Sequence, residues 1–211
     1  MEKAAKKQKM IFGMNRSVFM KKYGIFIVLL IMIAFMCVAS PTFRTWGNVV
    51  SILQQVSVNG VLALGMVFVI TAGGIDLSIG SMLALTSVII GKSFEFSDSI
   101  WLAIILSVVI CAAFGFINGA LIAKFNMFPF VVTLSTQLVI RGIGYIICDG
   151  ETKTLANKAF RQIGLGKLGG FLPYSILILL VVAVVAYILL HWTKFGRHIY
   201  AVGGNMNAAI A

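Results

Sequence analysis

VITAGGIDLSIGSMLAL, residues 69–85, breaks an apolar part of the chain with three glycines, two serines and one aspartate. A charged side chain at membrane depth costs at least about 2.5 to 3.5 kcal/mol, so Asp76 needs a partner, a cavity or the membrane interface. Gly73 and Gly74 release the backbone from helical geometry because glycine has no Cβ. Asp76 or Ser78 can then cap the next helix by accepting hydrogen bonds from its unpaired N–H groups. The stretch therefore predicts a break between two helices.

This break, GGIDLSIG at residues 73–80, has two interpretations. In the first, it is a broken-helix element that lines a substrate path, because irregular backbone is tolerated in a membrane only where it faces water or protein. In the second, it is an ordinary turn at the interface, capped by Asp76. A phosphate-binding loop is excluded, since the Lys and Ser/Thr of such a loop are missing.

The composition indicates a membrane protein. Of the 211 residues, 60% are apolar and 11% are charged, whereas soluble domains carry about 25% charged residues. The apolar runs approach the roughly 20 residues that a helix needs to cross a hydrocarbon core. We predict an all-α, polytopic transmembrane helical protein with about six spans, at residues 24–40, 52–71, 78–94, 100–123, 129–148 and 173–190. The third span is the weakest, and its presence decides on which side the C-terminal tail lies.

The basic residues are concentrated before the first span. Seven of the 17 Lys and Arg residues fall within the first 22 positions. This placement favours a cytoplasmic tail at residues 1–23 in contact with membrane lipid, and it lacks the interleaved aromatic residues of a nucleic-acid binder. Six crossings return the basic tail at residues 193–211 to the same cytoplasmic side.

Polar side chains inside the spans are candidates for a substrate path. Gln54 and Asn59 stand near the start of the second span, and Thr133 and Ser135 stand near the start of the fifth. Sugar hydroxyls need such donors and acceptors, but so do hydrogen bonds between helices. With the broken-helix residues, the candidates are Gln54, Asn59, Gly73, Gly74, Asp76, Ser78, Thr133 and Ser135.

The remaining segments predict no chemistry. Residues 149–170 form a polar loop, and His191 and His198 lack an acidic partner, so we expect no catalytic residue, metal or cofactor. In the tail, Gly203 and Gly204 predict a turn, and Asn205 predicts the cap of a helix that begins at Met206.

Three stretches in order resemble the permease subunits of ribose, galactose and xylose type ABC importers. They are VITAGGIDLSIGSMLAL, FPFVVTLSTQLVIRGIGY at residues 128–145, and TKFGRHIYAVGGNMNAAIA at residues 193–211. The resemblance implies a permease in the bacterial inner membrane that forms the path for a monosaccharide such as ribose. It also implies a second permease copy or homologue, a cytoplasmic ATP-binding subunit that hydrolyses ATP in place of this chain, and a periplasmic or lipid-anchored sugar-binding protein.

The same resemblance assigns the tail a role. Residues 24–192 correspond to the transmembrane permease domain and residues 193–211 to a cytoplasmic coupling loop whose short helix docks on the ATPase. Its candidate contacts are Gly203, Gly204, Asn205, Ala208 and Ala209. Family members usually carry acidic residues just after the GGN, where this chain has Met206 and Asn207.

Two alternatives to this transporter interpretation differ in class. Family members continue with further spans, so the chain is expected to be cut short at its C-terminus, and a shortened chain could insert and dimerise without transporting. An ion-coupled secondary transporter would use Asp76 as its ion site and need no ATPase.

Overall fold

The computed structural model describes residues 10–11, 14–151, 157–206 and 209. Within these residues the fold is all-α apart from two very short hairpins. The helices are α1 Arg16–Ala39, α2 Trp46–Thr71, α3 Ile79–Phe96, α4 Ile100–Phe125, α5 Pro129–Ile147, α6 Lys158–Leu165, α7 Tyr174–Trp192 and α8 Lys194–Gly204, with a 3-10 turn at Pro41–Arg44. The strands are β1 Met10–Ile11, β2 Met14–Asn15, β3 Lys167–Leu168 and β4 Leu172–Pro173.

Six of these helices are long and apolar enough to cross a membrane: α1, α2, α3, α4, α5 and α7. The prediction of an all-α polytopic protein is therefore confirmed. The weakest predicted span is the continuous helix α3, whose mean hydropathy of 1.3 is the lowest of the six. Pro129 begins α5, as expected for a residue that lacks the N–H left unpaired at a helix start.

The first of two compact units extends to Ile52 and contains α1, the 3-10 turn and the start of α2. Helix α1 begins at Arg16, so the basic residues Lys21 and Lys22 lie inside the helix and not before it. Its apolar side chains, among them Ile25, Phe35 and Val38, are exposed. Such an exposed apolar surface fits a helix surrounded by lipid.

The second unit begins at Leu53 and has its core where α3 packs against both α4 and α5. Leu85 and Ile89 of α3 and Ile140 of α5 form the buried cluster, and α4 adds Leu106 and Ile110. Lipid tails are as apolar as these side chains, so close packing and hydrogen bonds between helices must hold the unit together.

The segment predicted as a polar loop at residues 149–170 is partly helical, so that prediction was incomplete. Asn157 caps α6 by accepting a hydrogen bond from the Phe160 N–H at 2.9 Å. The ring of Phe160 contacts Phe94 of α3, with the centroids 5.7 Å apart. The N-cap provided by the Asn157 side chain and the contact between the two rings explain why a polar sequence forms a helix here.

The predicted turn at Gly203 and Gly204 was wrong, because both glycines lie in the last turn of α8. Thr193 caps the start of α8 by accepting a hydrogen bond from the Gly196 N–H. The extended residue Asn205 ends the helix, and its carbonyl accepts a bond from the Ala209 N–H at 3.0 Å. Ala208 lies outside the described residues.

Candidate functional site

The GGIDLSIG element begins where α2 ends in a Schellman motif. Gly73 adopts the left-handed backbone conformation at φ 86° and donates to the Ile70 carbonyl, while Gly74 donates to the Val69 carbonyl. These two bonds satisfy carbonyls that a helix end leaves unpaired. A side chain at Gly73 would be strained in this conformation. The prediction that glycine releases the chain from the helix is confirmed at this residue.

Asp76 closes the turn that leads into α3. Its Oδ1 accepts hydrogen bonds from the Ser78 N–H at 2.8 Å and from the Ser78 hydroxyl at 2.5 Å. Ser78 is the residue before α3, but its side chain does not cap the helix. Of the two predicted caps, Asp76 thus holds the entry to α3, and Ser78 serves as its donor.

A chain of hydrogen bonds connects this turn to two other helices. The Thr136 hydroxyl of α5 donates to Asn118 Oδ1 at 2.6 Å, and Asn118 Nδ2 of α4 donates to the Ser78 hydroxyl oxygen at 3.3 Å. In this series of hydrogen bonds, each group donates to the next in the direction of the Asp76 carboxylate. Hydrogen bonds aligned in one direction strengthen one another in a low-dielectric interior, and a charged acceptor at the end adds to the effect.

A second contact reaches the backbone of the element. The Thr133 hydroxyl lies 3.2 Å from the carbonyl oxygen of Ile75 and 2.8 Å from that of Pro129 in its own helix. Thr133 and Thr136 are three residues apart and share one face of α5. The start of α5 therefore holds the element at two points, one directly and one through Asn118.

Burial separates the candidates into two groups. Ser78, Thr133 and Asn118 are only 0%, 1% and 3% exposed, so their hydrogen bonds are made to protein and not to a ligand. Asp76 is half-buried. Asn118 of α4 with Thr133 and Thr136 of α5 thus form a clamp on residues 73–78 and leave the Asp76 carboxylate partly accessible.

The structure does not bring every predicted residue to this site. Asn59 is exposed on α2, twelve residues before Thr71, which is about 18 Å along a helix. Gln54 is half-buried still further away on the same helix. Ser135 is exposed and donates to the Val131 carbonyl of its own helix. These three residues are not part of the clamp.

Sequence reasoning left two members of the clamp out of the candidates. Asn118 is a single amide in an apolar helix, and Thr136 follows Thr133 at helical spacing. A lone buried amide in a membrane helix is a signal for a partner on another helix, because an unpaired amide is costly there.

The coupling candidates lie close to the same element. Gly203 of α8 stands against the Thr71 carbonyl at the end of α2, whereas Gly204 has no atom within 4 Å of its missing Cβ. Asn205 and Ala209 are exposed beyond α8. In the described part of the chain, no group of three His, Cys, Asp or Glu residues could hold a metal ion.

A protein-family model described as "Branched-chain amino acid transport system / permease component" matches residues 48–211. The chain belongs to this permease family. The match begins in the first turn of α2 and includes every later helix. The clamped junction between α2 and α3 is thus part of a permease domain, and the resemblance found in the sequence is confirmed.

Relatives of this chain are named as permease proteins for sugars. The ribose import permease protein RbsC of Bacillus subtilis (strain 168) is 40% identical over 193 residues, which cover 90% of this chain and 60% of the relative. RbsC of Haemophilus influenzae is 40% identical over 85% of this chain and 57% of its own length. The D-allose transport system permease protein AlsC of Escherichia coli (strain K12) is 34% identical over 92% and 60%.

The chain therefore spans about 60% of the length of the curated relatives it matches. No solved structure matches the chain.

Proposed function

We propose that this permease is a subunit of an ATP-driven importer and forms part of the path for a monosaccharide such as ribose. The observation that carries the proposal is the clamped GGIDLSIG element, in a chain that is 40% identical to a ribose import permease over nine tenths of its length. A half-buried carboxylate beside irregular backbone is how transporters place polar groups within a membrane.

The proposed orientation in the membrane rests on the helix order and on the position of the basic residues. The α2–α3 and α4–α5 junctions and helix α8 share one end of the second unit, as the contacts of Asn118 with Ser78 and of Gly203 with Thr71 require. We assign this end to the cytoplasm, because six spans place it on the same side as residues 1–22, which hold seven of the 17 Lys and Arg residues.

In this proposal the chain itself performs no chemistry. A cytoplasmic ATP-binding subunit hydrolyses ATP, and a periplasmic or lipid-anchored binding protein delivers the sugar to the outer face. A second permease copy or homologue completes the path. ATP can shift the permease between two states only if α8 and the spans make different contacts in each.

The accessible polar groups are the ones available to a sugar. Asp76 is half-buried, and Asn59 and Ser135 are exposed. We propose that these side chains, with Gln54, supply hydrogen bonds along the path, while Ser78 and Thr133 act by holding the element in place. Gly73 and Gly74 then provide the hinge.

The test is ATP-dependent uptake of labelled ribose by proteoliposomes that contain the ATPase and the binding protein. This chain is compared with the same chain extended to the length of its relatives. Uptake by the extended chain that requires ATP is the expected result. Absence of uptake with active partners would overturn the proposal, and uptake driven by an ion gradient without ATP would establish a secondary transporter instead.

A further inference from the structure

Helix α8 touches the end of α2 backbone to backbone. A Cβ added at Gly203 would lie 1.8 Å from the Thr71 oxygen and 2.9 Å from the Thr71 carbonyl carbon. Since a Cα–Cβ bond measures about 1.5 Å, the Gly203 Cα lies within about 3.3 Å of that oxygen. This is the range of the Cα–H···O contacts that allow two helices to approach closely.

The contacted backbone directly precedes the hinge glycines of the GGIDLSIG element. Thr71 is the last residue of α2, and the missing Cβ of Gly73 lies 3.9 Å from the Gly203 Cα. The Ile70 and Val69 carbonyls already accept the Gly73 and Gly74 N–H groups. The Thr71 carbonyl is the part of this helix end that faces α8.

A second contact fixes α8 on the same helix. Phe195, near the start of α8, lies 6.3 Å from Phe68 of α2 between ring centroids. Phe68 precedes Thr71 by three residues, so both contacts fall on one face of α2. Helix α8 is thus held on α2 at both of its ends.

We propose that Gly203 is a positioning residue that seats α8 on the α2 hinge, so that a displacement of α8 moves Gly73 and the Asp76–Ser78 turn. The sequence assigned Gly203 to the surface that meets the ATPase; the structure assigns it a contact with the permease's own hinge. The coupling of this motion to ATP rests on the proposed transport function, whereas the contact itself does not.

The first test needs no transport. Hydrogen exchange of the Gly73, Gly74 and Ser78 amides is compared in Gly203→Ala and Gly204→Ala, purified in nanodiscs. Gly204 is the matched control, since a methyl group there has open space. We expect exchange to be at least about tenfold faster in Gly203→Ala, equivalent to about 1.4 kcal/mol, and unchanged in Gly204→Ala.

Equal exchange in the two variants would overturn the proposal. The variant Phe195→Leu, which weakens the second contact and keeps an apolar side chain, is expected to give a smaller change in the same amides. If Gly203→Ala fails to insert into the membrane, Phe195→Leu becomes the deciding variant. Unchanged exchange rates of the three amides in Phe195→Leu would then overturn the proposal.

The second test separates coupling from folding. In the reconstituted importer, Gly203→Ala is expected to keep ATP hydrolysis and to lower the ribose transported per ATP. The control Gly142→Ala in α5, where an added Cβ meets no atom within 4 Å, is expected to keep both. An unchanged transport ratio in Gly203→Ala would contradict the coupling role. Failure of the unmodified importer to take up ribose would reject the proposed function, and the exchange result would still decide the contact.

Discussion

Two short junctions at one end of the second unit connect helices of membrane length in different ways. The α4–α5 junction turns through the left-handed Asn126, at φ 55°, and starts the next helix at Pro129. The α2–α3 junction turns through the left-handed Gly73 and then adds a carboxylate held by serine. In the contacts described above, side chains in the second half of α4 and near the start of α5 hydrogen-bond to the α2–α3 junction, and none does so to the α4–α5 junction.

The comparison teaches that polar side chains from neighbouring helices are not needed to reverse a membrane helix. Proline and one left-handed residue are sufficient for α4–α5. The Asp76, Asn118, Thr133 and Thr136 side chains therefore serve something beyond the turn itself, and fixing the position of an irregular segment is what their contacts do. The following variants test this difference.

Asp76→Ala should have the largest effect on the free energy of unfolding. It removes the acceptor of two bonds from Ser78, whose hydroxyl is fully buried, and bonds to a charged group contribute about 1.5 to 3 kcal/mol. We expect a loss of about 3 kcal/mol, measured by SDS titration in micelles. Asp76→Asn should lose less because an amide oxygen still accepts. The exposed Asp98 in the α3–α4 connection provides the control, and an equal loss in Asp98→Ala would contradict a special role for Asp76.

Asn118→Leu should come next, with a loss of about 2 kcal/mol. The change removes the link between Thr136 and Ser78 and leaves their polar atoms without this partner. Ser107→Ala on the same helix is the matched control, since buried Ser107 bonds only to the Ala103 carbonyl in the described contacts. If both variants lose the same free energy of unfolding in the SDS titration, the hydrogen bonds of Asn118 add no stability of their own.

Thr133→Val should cost about 1 kcal/mol, because the shape is kept and the hydroxyl hydrogen that the Pro129 and Ile75 carbonyls share is lost. Ser135→Ala removes a hydroxyl that bonds within its own helix and should leave the stability nearly unchanged. Thermal unfolding of the two variants side by side measures the difference. A Thr133→Val protein as stable as Ser135→Ala would show that the direct contact of α5 with the element is weak.

Asn126→Gly should have the smallest effect, within about 0.5 kcal/mol. Glycine relieves the left-handed backbone but gains freedom in the unfolded chain, so the two contributions oppose each other. The same SDS titration applies. A loss comparable to that of Asn118→Leu would mean that the α4–α5 junction is also held by side chains, and the contrast between the junctions would disappear.

Local features of the sequence were enough to predict the spans and the break. Hydropathy identified the six described helices of membrane-spanning length, Pro129 marked a helix start, and Gly73 marked a helix end. These features depend on neighbours in the chain. The amphipathic helix α6 was missed because its stability also depends on the contact of Phe160 with Phe94.

The partners of the polar residues were not predictable in the same way. Whether Asn118 faces Ser78 depends on the rotation of α4 about its axis relative to α3 and α5, which no local pattern determines. Gly203 shows the same limit: glycine near a helix end predicts a turn, whereas here it allows contact with Thr71 of a distant segment.

The most direct test of the account is amide hydrogen exchange at the two junctions of the unmodified protein in nanodiscs. The account expects slow exchange at Gly73, Gly74 and Ser78, whose N–H groups are all hydrogen-bonded, and exchange at least about tenfold faster at residues 126–128. Equal rates at the two junctions would contradict the claim that α4 and α5 clamp the GGIDLSIG element.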